Sequence, residues 1–376
     1  MKRSWRIVLS LLLVLLVFIG YRLLFDKPPA YTLTDLGEIE NEDFWMILND
    51  RDQLLLYVRS LVDDKPVDRC QIWEQGKVIH SFDQARLGYP FRVYDFNDNG
   101  QIVGQIRKGE VNQGFRWAPE DGMTLFEVEY IASINDKGLM VGTATIGDST
   151  EQQPCLIHSS GEVELLIDQL GDASGPMRID NSGRVLTSLS PVQEGGRRYG
   201  VWWDEGITEI QIPEGSFING NPDFPILMEM NETGAATGWT RTGKGFIWSI
   251  ESGFSRLKSD ESVERQQAWD LNNQEEVVGA FILEMSGAIP FPKSLEKVWW
   301  IRESRRWVEN RRNGNRMHAI LWKKDEAIPL QGEVDRKSDL TLLSAQTIND
   351  NGLIAGYGED ENGNLHAFLL TPNEMR

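Results

Sequence analysis

The sequence predicts an all-β chain, a seven-bladed β-propeller closed by pairing of its two ends and preceded by one transmembrane helix. Three observations carry that expectation. A short phrase of an apolar residue, Asn or Asp, a polar turn and an apolar strand returns seven times. The copies are ILNDRDQLLLY, FNDNGQIVGQ, INDKGLMVGT, IDNSGRVLTS, MNETGAATGW, LNNQEEVVGA and INDNGLIAGY. Each copy has a second half further on, a small residue, two apolar positions and usually Trp. The last unit stops at its third strand, while an unmatched strand-like segment, YTLTDLG at Tyr31–Gly37, stands before the first.

At the N-terminus, Lys2, Arg3 and Arg6 precede an apolar stretch from Ile7 to Leu24. A helix needs roughly 17–25 mostly apolar residues to span a bilayer. Residues 7–25 are therefore expected to be an uncleaved signal-anchor, with 1–6 a basic cytoplasmic stub and 26–30 a linker. Basic residues hold their side of the membrane in the cytoplasm, which places 31–376 outside, periplasmic or extracellular. The alternative is a cleaved signal peptide, but neither Phe18/Gly20 nor Pro28/Ala30 makes a good small-x-small cleavage site.

Within the repeat each residue type has a physical task. Asn49, Asn97, Asn135, Asp180, Asn231, Asn272 and Asn349 end the first strand, A, and can bond their own backbone two residues on. The glycine three later (Gly100, Gly138, Gly183, Gly234, Gly352) supplies the positive φ of a tight A–B hairpin. Asp52 and Glu275 depart from it. The glycine seven later (Gly104, Gly142, Gly238, Gly279, Gly356) lies inside strand B, where it implies close approach of a backbone or bulky ring, with Trp the expected neighbour. On strand C, Trp73, Trp117, Trp203, Trp248 and Trp322 are expected to be buried between blades, and Cys70 and Cys155 to share one small position. A short turn then leads to strand D. Tyr31–Leu36 should supply the missing strand D beside Leu365–Leu370, removing the free sheet edge.

The A–B and C–D turns are short, whereas the B–C and D–A connections run from a few residues to more than thirty. Those two classes share one face of the ring, so that face is expected to bind. Its longest connection, about Glu284 to Arg316, carries eight basic and three acidic residues between Pro292 and Arg316. Candidate binding residues there are Trp299, Trp300, Arg302, Arg305, Arg306 and Trp307, since Trp and Arg dominate binding hot spots. An extended hairpin whose tryptophans pack on its own blade is the alternative reading of the same residues.

Composition narrows the partner. Beyond residue 30 the chain has 33 basic and 56 acidic residues, a charge of −23 that repels phosphate backbones and argues against nucleic acid. No catalytic residue, metal ligand set or cofactor is expected: His80, His158, His318 and His366 fall on different blades. DFNDNG at Asp95–Gly100 resembles half a calcium loop, but Ile106 stands where the closing Glu belongs. Cys70 and Cys155 lie too far apart in the array for a disulfide.

Tyr31-Thr-Leu-Thr-Asp35-Leu-Gly37, INDNGLIAGYG and His366-Ala367-Phe368, with His318-Ala319-Ile320 as a variant, resemble the HAF-repeat family of bacterial extracytoplasmic proteins over residues 31–376. The resemblance implies a fold and a location, and no reaction. The expected function is a membrane-anchored binding or scaffold propeller with a protein or envelope-glycan partner on the variable-loop face. The alternative is a hydrolase or lyase of extracytoplasmic polysaccharide with acids at the channel mouth.

Overall fold

Seven four-stranded antiparallel sheets follow one another along the chain. The computed structural model describes residues 28–39, 43–63, 65–145, 152–166, 173–193, 196–203, 206–210, 217–218, 221–222, 225–259, 263–283, 316–324, 326–335 and 337–373. Residues 7–25, and the loop residues Trp299, Trp300, Arg302, Arg305, Arg306 and Trp307, lie outside them. Among the described residues no helix is long and apolar enough to cross a membrane.

Blade one is β2 (Phe44–Leu48), β3 (Gln53–Val62), β4 (Lys65–Glu74) and β5 (Lys77–Asp83). Blade two is β6 (Phe91–Phe96) to β9 (Gly122–Leu125), and blade three β10 (Tyr130–Ile134) to β13 (Val163–Leu165). Blade four is β14 (Ala173–Ile179) to β17 (Gly206–Glu209), and blade five β20 (Pro225–Met230) to β23 (Gly253–Arg256). Blade six is β24 (Val263–Leu271) to β27 (Glu326–Pro329). A two-stranded ribbon, Phe217–Ile218 with Asn221–Pro222, lies on the connection between blades four and five.

The last blade joins β28 (Thr341–Ile348), β29 (Ile354–Glu359) and β30 (Leu365–Pro372) to β1 (Tyr31–Glu38), so the first strand of the chain completes the last sheet. Its register runs from Tyr31 opposite Pro372 to Glu38 opposite His366. The His366 imidazole Nδ1 sits 3.0 Å from the Asp35 carboxylate across this seam.

The core sits between blades. Seven apolar clusters among the described residues each combine side chains of two neighbouring sheets, including Leu55 with Phe91 at blades one and two and Leu48 with Ala355 at seven and one. Trp248 and Trp322 are buried in these clusters, and Trp322 donates its indole N–H to the Lys258 carbonyl. Trp73 and Trp117 are half-buried. Blade four corrects the expectation for Trp203, which is 51% exposed. Register explains it: Trp202, not Trp203, lies opposite Val185, as Trp322 lies opposite Val277, and Trp202 packs in the seam with blade three. Trp322→Ala should therefore cost about 3–5 kcal/mol, and Trp203→Ala should leave the melting temperature nearly unchanged.

The same offset separates the cysteines. Cys155 lies opposite the strand B glycine, Gly142, whereas Cys70 lies opposite Tyr57, so they do not share a position. Both are free and buried.

Gly104, Gly142, Gly238, Gly279 and Gly356 each lie opposite a β-bulge in strand A. A Cβ there would stand 1.8–2.2 Å from a strand A carbonyl oxygen, with a ring of Phe115, Trp322 or Phe368 close by at Gly104, Gly279 and Gly356. The principal neighbour is thus backbone. Blade one has Leu56 in place of this glycine and no bulge. At the hairpin tips, Asp52 and Glu275 take the left-handed φ, 61° and 58°, that glycine takes in the other copies.

Candidate functional site

The seven repeated Asn and Asp residues converge on the channel axis at the A–B turn face. All are buried. In each, the side-chain oxygen accepts the backbone N–H four residues on at 2.8–3.0 Å, and in six of them the N–H two residues on as well. That is the expected turn. The amide nitrogen does something more. Asn49 donates to the Asn97 carbonyl, Asn97 to Asn135, Asn135 to Asp180, Asn231 to Asn272, Asn272 to Asn349 and Asn349 back to Asn49.

Asp180 has no N–H to offer the next blade. Arg184 replaces it, pairing with the Asp180 carboxylate while its two terminal nitrogens donate to the Thr233 and Glu232 carbonyls.

A second circle lies beside the first. The backbone N–H of Asp50 donates to the Asp98 side chain, Asp98 to Asp136, Asp136 to Asn181, Asn181 to Glu232, Glu232 to Asn273, Asn273 to Asp350 and Asp350 to Asp50, all at 2.6–2.9 Å. An acceptor side chain directly after every repeated Asn or Asp is plain in the sequence. Its role was not, because the partner is the equivalent residue of the next blade, 38 to 300 positions away.

Most of these side chains line a cavity of about 160 Å³ at the channel mouth. Deeper in it stand the residues two before six of the seven repeated Asn and Asp residues: Ile47, Asp95, Ser133, Arg178, Glu229 and Asp270. Here too a structural habit is visible. Asp95, Ser133, Asp270 and Thr347 each accept a backbone N–H from the next blade, those of Ile134, Ile179, Ile348 and Leu48. Arg178 and Glu229 break the habit, pairing with each other instead at 2.6 and 2.7 Å. The calcium-loop match dissolves for the same reason: Asp95 and Asn97 are engaged with the backbone of blade three, and Asn99 donates to the Asp136 carbonyl. Among the described residues no group of three His, Cys, Asp or Glu is placed to hold a metal ion.

Crowding shifts these acids. Removal from water pushes Asp50 up to about 6, helped by Asp350, Asp98 and Asp136 and opposed by the Asp350 N–H. Glu232 rises to about 7, again mainly by removal from water, with Asp180 and Asp136 adding to it. Removal from water also raises Asp98, Glu229 and Asp270. Asp50 keeps an open side, so Glu232 carries more of the consequence. Because their folded values lie above their unfolded ones, these groups favour folding below about pH 4, and that contribution fades as pH rises through about 6 to 7. Thermal melts should show Glu232→Gln, which keeps an acceptor, narrowing the loss of stability between pH 5 and pH 8. An unchanged pH profile would count against the shift.

The opposite face is different in kind. Leu61 and Val62 project near the tip of the B–C hairpin of blade one, and Val111 near that of blade two. Tyr89 stands on the connection between those blades, under the Lys108 ammonium, and all four are exposed.

No family model matches the chain, and no curated protein sequence matches it. Solved structures do. The β-propeller domain of the Trilobed protease from Pyrococcus furiosus, described as having an open velcro topology, has a TM-score of 0.51 at 10% identity, covering 90% of this chain and 95% of that one. Virginiamycin B lyase from Staphylococcus aureus has a TM-score of 0.48 at 11% identity, covering 91% of this chain and all of that one. The fold is a β-propeller. At such identities the likeness extends to architecture and no further.

Proposed function

We propose that this chain is a membrane-tethered, extracytoplasmic binding or scaffold propeller that takes a protein or envelope-glycan partner on the face of its B–C and D–A connections. One observation carries the choice of face. The side chains of the A–B turns are engaged in two hydrogen-bonded circles that hold the blades together, so replacing them for the sake of a ligand would open the ring. The opposite face has variable connections and four exposed large apolar side chains on two neighbouring blades. Trp299, Trp300, Arg302, Arg305, Arg306 and Trp307 fall on a B–C connection and would extend that surface. The tether and location rest on the apolar stretch 7–25, the basic residues before it and the resemblance to HAF-repeat proteins.

A photoreactive amino acid placed at Leu61, Val111 or Trp300 in the full-length protein, in its native membranes, should give discrete cross-linked adducts. The same probe at Lys137, in an A–B turn, should give none. Adducts from Lys137 alone would overturn the assignment of the face.

A second reading, a channel hydrolase or lyase, is favoured by the raised carboxyls of Glu229 and Asp270 beside Arg178. It requires that the protein depolymerise an envelope polysaccharide and that Glu229→Gln abolish this while leaving the fold intact. Equal product from the variant would exclude that role for Glu229.

A further inference from the structure

Exposed apolar side chains also stand at the turn face, away from the surface assigned to the partner; besides Val78 and Ile79 beside the C–D turn of blade one, two lie on blades four and five. Trp203 ends strand C of blade four, and Ile250 stands in the C–D turn of blade five; they are 51% and 45% exposed. Trp203 is the surplus member of a Trp pair whose other half, Trp202, already fills the seam with blade three. Among the described residues neither apolar cluster at blade four includes Trp203.

The chain enters the propeller on this same face. Tyr31, the first residue of β1, lies opposite Pro372, at the end of a C strand, as Trp203 does. That entry is pinned: Asn373 donates its backbone N–H to the Ala30 carbonyl at 2.8 Å and its side-chain amide to the Pro29 carbonyl at 2.9 Å. Tyr31 donates to the Glu333 carbonyl at 3.0 Å. From residue 25, the last of the expected anchor, to Pro29 the chain can reach at most about 14 Å. A propeller tethered by 7–25 therefore cannot stand clear of the bilayer, and its turn face is the near one. Blade four is three places from blade seven, as far across a seven-membered ring as any blade can be.

We propose that Trp203 and Ile250 rest in the headgroup region of the membrane, forming a second point of contact across the ring from the tether. This rests on the tethered reading given above. Trp suits that layer because its ring is apolar and its N–H can stay hydrated. The tether makes the contact intramolecular, so two side chains suffice where a free protein would need many. The carboxylates of Asp50, Asp98, Asp136, Glu232 and Asp350 stand at the centre of the same face, so the contact should favour zwitterionic lipid and weaken as anionic lipid is added.

Since Cys70 and Cys155 are buried, a cysteine introduced at the surface can be labelled selectively. Full-length Trp203→Cys, Ile250→Cys and Val111→Cys, each carrying an environment-sensitive nitrobenzoxadiazole, would be reconstituted into phosphatidylcholine vesicles. The expected result is a blue shift at 203 and 250 and loss of their emission when nitroxide-labelled lipid is included, with neither at 111. Quenching at 111 in place of 203 and 250, or at none of the three in protein that floats with the vesicles, would overturn the contact and leave the tether standing. Failure of the full-length protein to float with vesicles would overturn the tether itself, and the contact with it.

Discussion

Gly279→Ala should be among the most damaging single substitutions in the chain, costing about 3 kcal/mol or more. The added Cβ would stand 1.8 Å from the Gln267 carbonyl oxygen and 3.0 Å from the Trp322 ring. The first of these is backbone held in a bulge and cannot swing aside. Relief would require straightening the bulge between Ala268 and Asp270, and that would turn Asp270 away from the Ile348 N–H that it accepts. Chemical denaturation of Gly279→Ala beside Gly253→Ala separates the causes. Gly253 has a left-handed φ of 68° and open space around it, so its substitution carries backbone strain alone. A smaller loss at 279 than at 253 would show that the bulge yields easily.

Asn135→Ala should cost on the order of 3–5 kcal/mol, because it strips partners from the N–H groups of Lys137 and Leu139 and from the Asp180 carbonyl at once. Neutral substitution by size alone would leave Asn135→Ala near 1 kcal/mol, typical of a lost cap. Denaturation midpoints with unchanged slope decide between the two. Asn135→Asp keeps the turn but sets a buried carboxylate oxygen against the Asp180 carbonyl in place of the bond to blade four, so it should cost as much as Asn135→Ala or more.

The architecture was legible in the sequence because its periodic elements are local. A polar turn after an apolar run marks the A–B hairpin wherever it occurs, and the unmatched strand at Tyr31 found its place beside β30. Position within a strand was less legible. WW at 202–203 offers two candidates for one slot, and the choice depends on strand register, which the spacing from Gly200 misstates by one residue. The strand B glycines announced a close approach, but a bulge in the facing strand leaves no mark of its own in the sequence, so the carbonyl at fault could not be named. The second duty of Asn135 and its counterparts was hidden for a different reason. Its partner is the equivalent turn of the next blade, and identical residues at identical places disclose pairing only once the ring is closed. Arg178 and Glu229 carry no repeat signature at all; they stand out against the Asp, Ser and Thr at equivalent places after those are seen accepting N–H groups.

Blade four supplies the most direct test of a ring closed by side chains, because there the sequence has already made the substitution. Arg184→Ala should destabilise the protein by removing the bridge from Asp180 to the Glu232 and Thr233 carbonyls. Adding Asp180→Asn to it restores the amide that the equivalent residue of every other blade donates to the carbonyl of the next repeated residue, here Asn231. A double-mutant cycle read by thermal and denaturant unfolding should show Asp180→Asn recovering most of the stability that Arg184→Ala removes, while adding nothing beside an intact Arg184. Simple additivity of the two changes would contradict closure through these side chains.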